Sequence, residues 1–467
     1  MGHDRPELAR VLNRPQLLAL GVGAIIGSGI FVVPGPAAAQ FAGPAIVFSF
    51  LISGFACALA GLCYAELAGM FPSAGSAYAY AYQAFGPLTG WLVGWLLLLE
   101  YIFAAAILGI GWSGYMTSLL ADAGLHLPSA LIHSPISIDS VGDTHIGAGI
   151  IDLPAVIILA IACFVARREV KLSATVNAVI TCMKVGIIIL VIAAGFRYVN
   201  VANWHPFVPP NSGRWGEFGF SGIMRGAAVT FYVYLGFDTV SVAAQEARNP
   251  QRDIPFGIIG SLMIVTGLFI PMSLILTGLT SYTTLNVAQP VSVALAAVSP
   301  HLRWLRPIVD VGAMIGMFSV MMIVLMAQSR ILYAMALDGM VPAIFCNLHP
   351  RYRTPAIGTV VGASLAALVA ASLSITLLSQ MVSIGALFAF TTVAAGVLVL
   401  RVRHPQLPRS FRVAWVPAIP LAAIAVCAYL MVSLPVGTWM RLCVWVFCGL
   451  LIYSVYGRRV ERKGAIY

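Results

Sequence analysis

The chain has 467 residues, 60% of them hydrophobic and 9% charged, with a mean hydropathy of +0.95. Soluble domains carry about 25% charged residues, so no water-soluble fold can hide this much apolar surface, and lipid must solvate most of it. The formal net charge of +10 invites a nucleic-acid partner, but its distribution along the chain excludes one.

In lipid, backbone groups must pair within their own segment, so the apolar runs are helices rather than open strands. Residues 1–15 read as a cytoplasmic N-terminus with Arg5, Arg10 and Arg14. The apolar run that follows is too long for a signal-peptide core, so no cleavable leader is expected. Spans fall at roughly 16–41, 45–70, 87–120, 150–166, 173–198 and 220–244, then at roughly 256–279, 307–337, 356–378, 381–401, 416–434 and 438–456. The Ser379-Gln380 join is short enough to make its flanking helices antiparallel neighbours. With the N-terminus inside, the inner segments hold nineteen Lys and Arg residues and the outer ones, including Arg225, six. This is the positive-inside asymmetry of an inner (plasma) membrane protein with both termini cytoplasmic. The longest outer loop, around residues 122–149, carries Asp122, Asp139 and Asp143 and no Lys or Arg. Its histidines, His126, His133 and His145, are too widely spaced for a metal site. The eight cysteines form no CxxC, and no metal or other cofactor is expected.

Segment one reads GVGAIIGSGIFVVPG, and Gly27-Ser28-Gly29 stands in mid-membrane. Glycine lowers the cost of leaving helical geometry, and a break there would aim freed N–H groups and the positive dipole end of a half-helix at a carboxylate. Close helix packing through small-xxx-small spacing is the competing reading. Segment six, TFYVYLGFDTVSVAAQEARNP, sets Gly236 among aromatic residues with Asp238 just behind it. Its freed carbonyls suit an ammonium group. Interrupted segments at corresponding places in two halves point to a transporter's binding site, and the pair is far more specific than either member.

In these features the chain resembles the amino acid–polyamine–cation transporter superfamily, closest to its cationic amino acid transporter branch. The residues that carry the likeness are GAIIGSGIFV (23–32), YAELAGMFPSAGSAYAY (64–80), LEY (99–101), GWSGYM (111–116), FDTV with EARNPQRDIP (246–255), and AQSRILYAMALDGMVP (327–342). The resemblance implies an all-α membrane protein of about twelve spans with a five-plus-five inverted-repeat (LeuT-type) core and breaks in the first and sixth. The core would occupy residues 16–405, with repeats at about 16–198 and 220–402. Two further spans in 406–457 and a cytoplasmic C-terminus at 458–467 complete the chain. By the same likeness, a substrate carboxylate sits on the amides of Ser28 and Gly29 at the Gly27 break. The amino group meets carbonyls of Ile25, Tyr232 and Leu235, and Tyr232 and Tyr234 replace the phenylalanines common in relatives.

Two ionisable residues lie inside spans. Lys184 is at least ten residues from either end of segment five, where an unpaired charge costs about 2.5–3.5 kcal/mol. Burial disfavours its charged form, so it can trade a proton near neutral pH. The resemblance implies that protonated Lys184 bonds to the Gly23 carbonyl and that deprotonation frees that helix, coupling protons to uptake. A static ammonium bound to carbonyls is the alternative. Glu100, in segment three, reads as a counter-charge for a cationic substrate side chain, a proton-carrying acid or a structural partner. Met314, Met317 and Met321 follow helical spacing and either pack or line the side-chain pocket; methionines there would favour small substrates. Asp238 and Asp310 read as gate or helix-end acids, Arg330 and Asp338 as anchor and loop contacts.

No HExxH, GxSxG or phosphate-binding loop appears, so the chain is not expected to be an enzyme, and no channel filter motif is present. The expected function is secondary active, proton-coupled amino acid transport by alternating access, for a cationic or small neutral substrate. An amino acid/amine exchanger and a transport-dead receptor remain open. The partners expected are an amino acid, protons and the lipid bilayer, with no nucleic acid and protein partners unassigned.

Overall fold

The computed structural model describes residues 13–71, 75–138, 144–147, 149–168, 174–242, 247–298, 300–352, 354–409 and 411–456. Both chain ends lie outside these, as do Asp139, Asp143 and Glu246. The chain is mostly helical. In order come α1 (Arg14–Ile25), α2 (Ser28–Phe31), α3 (Pro34–Ala37), α4 (Ile46–Met70), α5 (Ala77–Phe85) and α6 (Pro87–Asp122). A small hairpin of β1 (Ile136–Ile138) and β2 (Thr144–Ile146) follows, pairing Ser137 with His145, and then α7 (Leu153–Ala166) and α8 (Ala174–Phe196). The second half holds α9 (Gly219–Thr230), α10 (Phe237–Val242), α11 (Pro250–Leu279), α12 (Pro290–Ala297), α13 (Leu305–Leu337), α14 (Ala356–Ser372), α15 (Ile375–Arg403), α16 (Ala418–Ser433) and α17 (Val436–Tyr456).

Among the described residues, seven helical stretches are long and apolar enough to cross a membrane, and three shorter apolar helices accompany them. The protein is therefore a multi-pass membrane protein. Large apolar side chains such as Phe55, Met263, Leu368 and Phe447 project from the outer faces of these helices, as a lipid-solvated surface requires.

Two predicted spans are not continuous. The first begins at a capping box, in which Asn13 accepts from the Gln16 amide and Gln16 accepts from that of Asn13. It stops at Ile25 and resumes at Ser28. The sixth runs as α9, tightens through 231–234, leaves helical geometry at Leu235 and Gly236 and resumes as α10. The breaks touch at two points. Gly236 has φ +116°, and a Cβ there would stand 2.8 Å from the Ala24 carbonyl carbon. A Cβ on Gly29 would stand 2.5 Å from Val233. Only glycine satisfies the backbone angle and the close approach at 236 together.

Helix α4 is fastened to α9 along its length. Ser49 Oγ donates to Ile223 O at 2.8 Å and Ser53 Oγ to Ala227 O at 2.7 Å, while Cys57 Sγ reaches Phe231 O at 4.0 Å. Each rung is four residues after the last on both helices, so one face of each carries all of them. At the far end of α4, the buried Glu66 receives Arg401 through two bonds, 2.8 and 2.7 Å, and the Val413 amide at 2.7 Å. Arg409 stands 3.3 Å away.

Two expectations change, and two short helices are added. Ser379-Gln380 is no turn but lies inside α15, and the chain reverses at 373–374 instead. The polar pair is compatible with a buried helix because Ser379 Oγ donates to Ile375 O and Gln380 Oε1 accepts from Thr438. Arg225 lies within α9 rather than in an outer segment, buried, with its Nε on Ser433 O at 3.2 Å. Helices α5 and α12, too short to span, are additional elements, placed after the second and seventh apolar segments respectively.

Candidate functional site

Where the two breaks meet they leave a cavity of about 60 Å³. One wall comes from the first break, with Ile25, Gly27, Ser28 and Gly29, and the facing wall from the second, with Tyr232, Leu235 and Gly236. Helix α6 contributes Glu100, Tyr101, Ala104 and Leu108, and α13 adds Val320, Ile323, Val324 and Ala327. Both sets follow helical spacing of three and four residues, so each helix offers one continuous stripe.

The polar groups of this cavity are few and differently partnered. Asp238 accepts from the Tyr101 hydroxyl at 2.7 Å and from the Gly236 amide at 3.2 Å. Its carboxylate thereby caps the start of α10 and ties that helix to α6. Glu100, one residue before Tyr101, is 2% exposed, and its Oε2 meets no donor. An uncompensated carboxyl in such a place is costly unless a ligand or a proton answers it. The Tyr232 hydroxyl is buried beside those of Ser28 and Ser379.

Tyr234 is not at the cavity. Its hydroxyl donates to Phe50 O at 2.8 Å and accepts from Thr266 at 3.3 Å, on the opposite side of the tightened turn. Tyr232 and Tyr234 are two positions apart, enough in this tight geometry to turn them to different faces. The methionine stripe also misses the cavity: Met317 and Met321 are fully buried, and the lining face of α13 is that of Val320 and Val324. Asp338, read as a loop contact, accepts from the Tyr78 hydroxyl of α5 at 2.6 Å.

Lys184 sits behind the first break. It is 1% exposed, its Nζ donates to Gly23 O at 3.1 Å and to Ser319 Oγ at 3.4 Å, and its stem packs over Gly316. One ammonium thus joins α8, α1 and α13 through two neutral oxygens. Among the described residues no carboxylate pairs with it, and no group of His, Cys, Asp and Glu is arranged to hold a metal.

Beyond Leu108 on α6 the walls draw together. The Tyr115 hydroxyl donates to Phe31 O at 2.5 Å, and Gly111 is so near Val32 and Met317 that a Cβ would lie 2.6 and 3.0 Å from them.

Residues 12–452 match the amino acid permease family. The chain is 42% identical to the methylthioribose transporter of Bacillus subtilis (strain 168), over 97% of this chain and 94% of that protein. It is 38% identical to a branched-chain amino acid permease of the same organism, again over 97% and 94%. A vacuolar cationic amino acid transporter of Arabidopsis thaliana is 38% identical over 86% of this chain and 65% of its own length.

Proposed function

Because the chain belongs to the amino acid permease family, we propose that it is a secondary active transporter that carries an amino acid across the plasma membrane by alternating access. The observation that carries this reading is the cavity enclosed by two interlocked helix breaks. An amino acid has a carboxylate and an ammonium at a fixed separation. The amides of Ser28 and Gly29, in the first turn of α2, suit the first, and the carbonyls of Ile25, Tyr232 and Leu235 suit the second.

The fold in this reading is a five-plus-five inverted repeat with two added C-terminal spans, about twelve in all, and cytoplasmic termini. The breaks in the first and sixth segments support it. So do the short helices α5 and α12, each placed after the second segment of its half. The bias of basic residues to one side supports the orientation.

Lys184 is the coupling residue in this proposal. Charged, it holds α1 through Gly23; neutral, it donates less strongly and releases that helix, so proton movement and helix movement are linked. Glu100 faces the substrate side chain, where an ammonium or guanidinium would supply the donor its Oε2 lacks.

A thermal-shift screen of the purified protein tests the substrate class, because a ligand at 100 times its Kd stabilises by about 2.7 kcal/mol. The set is the twenty amino acids, ornithine, agmatine and methylthioribose. At least one amino acid is expected to shift unfolding, and the same compound should exchange in liposome counterflow. Stabilisation by methylthioribose alone would overturn the amino acid assignment, and binding without counterflow would make the protein a receptor.

A further inference from the structure

One turn of α6 beyond the cavity-lining Leu108, Gly111 stands so near Val32 and Met317 that no side chain fits there, and further along α6 Ser118 and Asp122 belong to a polar cluster centred on Arg306. Arg306 belongs to the first turn of α13. Its Nη1 donates to Asp122 of α6 at 2.8 Å and its Nη2 to Ser118 of α6 at 3.3 Å. Its Nε donates to Ser292 of α12 at 3.3 Å. Ser292 also shares a hydrogen with Ser118 at 2.8 Å and approaches Asp310 Oδ2 at 3.3 Å. A single guanidinium on α13 therefore reaches both α6 and α12, and α12 itself carries no charged side chain.

Helix α12 has eight residues and no side-chain cap at its start; besides its buried Val291, Ala294 and Leu295, the hydroxyl of Ser292 is its one polar side chain and ties it to α6 and α13. The cluster is also poised to come apart. The side chains of Arg306 and Asp122 are 19% and 29% exposed, where water competes for their bonds. Asp310 is fully buried, and its Oδ1 meets no donor. Opening would hydrate that oxygen, so the closed arrangement carries a local penalty that the Arg306 bonds offset. Opposed terms of this kind make an element two-state rather than permanently shut.

We propose that Arg306 is the pin of a latch that holds α12 over the transport pathway, and that this face opens only when the Arg306 bonds to α6 and α12 release. The latch rests on the alternating-access reading above. Its role is positional, since Arg306 does not line the cavity.

Two reporters on α13 test it in the full-length protein, with native cysteines replaced and counterflow retained. Ala313→Cys is fully buried below the latch, and Ala334→Cys stands towards the other end of the helix. In lipid nanodiscs, where a maleimide reaches both faces, Arg306→Gln is expected to speed labelling of Ala313→Cys about fivefold and to slow that of Ala334→Cys. Ser292→Ala removes one hydroxyl and should act in the same direction, and it carries the test if Arg306→Gln does not fold. Unchanged labelling, or both reporters labelling faster as in general loosening, would overturn the latch. Absence of counterflow in the parent protein would instead overturn the transport reading on which it depends.

Discussion

Replacing Gly236 by alanine probes whether the two helix breaks form one rigid joint. The backbone there has φ +116°, a region that costs a residue with a Cβ about 1–3 kcal/mol. The new methyl would also meet the Ala24 carbonyl carbon at 2.8 Å, against 3.4 Å for ordinary contact, so a backbone must retreat by about 0.6 Å. Overpacking of that kind costs about 1–3 kcal/mol more, for a combined loss of about 2–6 kcal/mol. The displacement falls on the residues that wall the cavity, so apparent ligand affinity should fall at least tenfold, a loss of about 1.4 kcal/mol of ligand stabilisation, along with unfolding temperature. Gly186→Ala is the control: it lies within α8 with nothing inside 4 Å of a Cβ, and alanine there should be neutral or stabilising by about 0.5–1 kcal/mol. Thermal unfolding in detergent, with and without ligand, reads both effects. Wild-type behaviour in Gly236→Ala, or equal damage from Gly186→Ala, would refute the idea that this joint is close-packed by necessity.

Lys184→Ala should abolish the dependence of uptake on a proton gradient while leaving counterflow in place; a mutant that still follows the gradient would exclude Lys184 as the coupling residue. Glu100→Gln should lose stabilisation by lysine, arginine and ornithine but keep any by neutral amino acids, and loss of both classes alike would make Glu100 structural. Tyr101→Phe strips a buried carboxylate of a donor, an effect of about 1–3 kcal/mol visible as a lower unfolding temperature. Glu66→Gln leaves two arginines without their charge partner at the end of α4, and a loss of about 3–5 kcal/mol is expected by denaturant or heat. A change below about 1 kcal/mol would mean that water already solvates the cluster.

The apolar runs and the two glycine breaks were legible in the sequence because each depends on local chemistry: lipid demands helices, and only glycine makes leaving one inexpensive. Ser28 and Gly29 at the first break follow from those local features, whereas Ile25, Leu235 and the approach of Lys184 to Gly23 were implied by the family resemblance. Tyr234 was not legible, since its direction is set by the tight turn at 231–234 and by an acceptor on α4, remote in sequence. The stripe of Val320 and Val324 escaped notice because α13 is apolar around much of its circumference, and periodicity then names no preferred face. Ser379-Gln380 resembled a turn because polarity alone does not say whether a side chain will find its partner, here Ile375 and Thr438. The Arg306 cluster draws on three helices, and no spacing along one segment announces it.

The rungs between α4 and α9 bear on how this sequence can vary. Ser49, Ser53 and Cys57 meet carbonyls four residues apart on the partner, so the two helices share one register. Adding or deleting a single residue between rungs would rotate every later one by about 100°, away from its acceptor. Substitutions can be absorbed one rung at a time, each interhelical bond contributing only about 0.6 kcal/mol on average. A change of length cannot. Ser49, Ser53 and Cys57 should therefore tolerate replacement one at a time, whereas residues 49–57 and 223–231 should reject insertion.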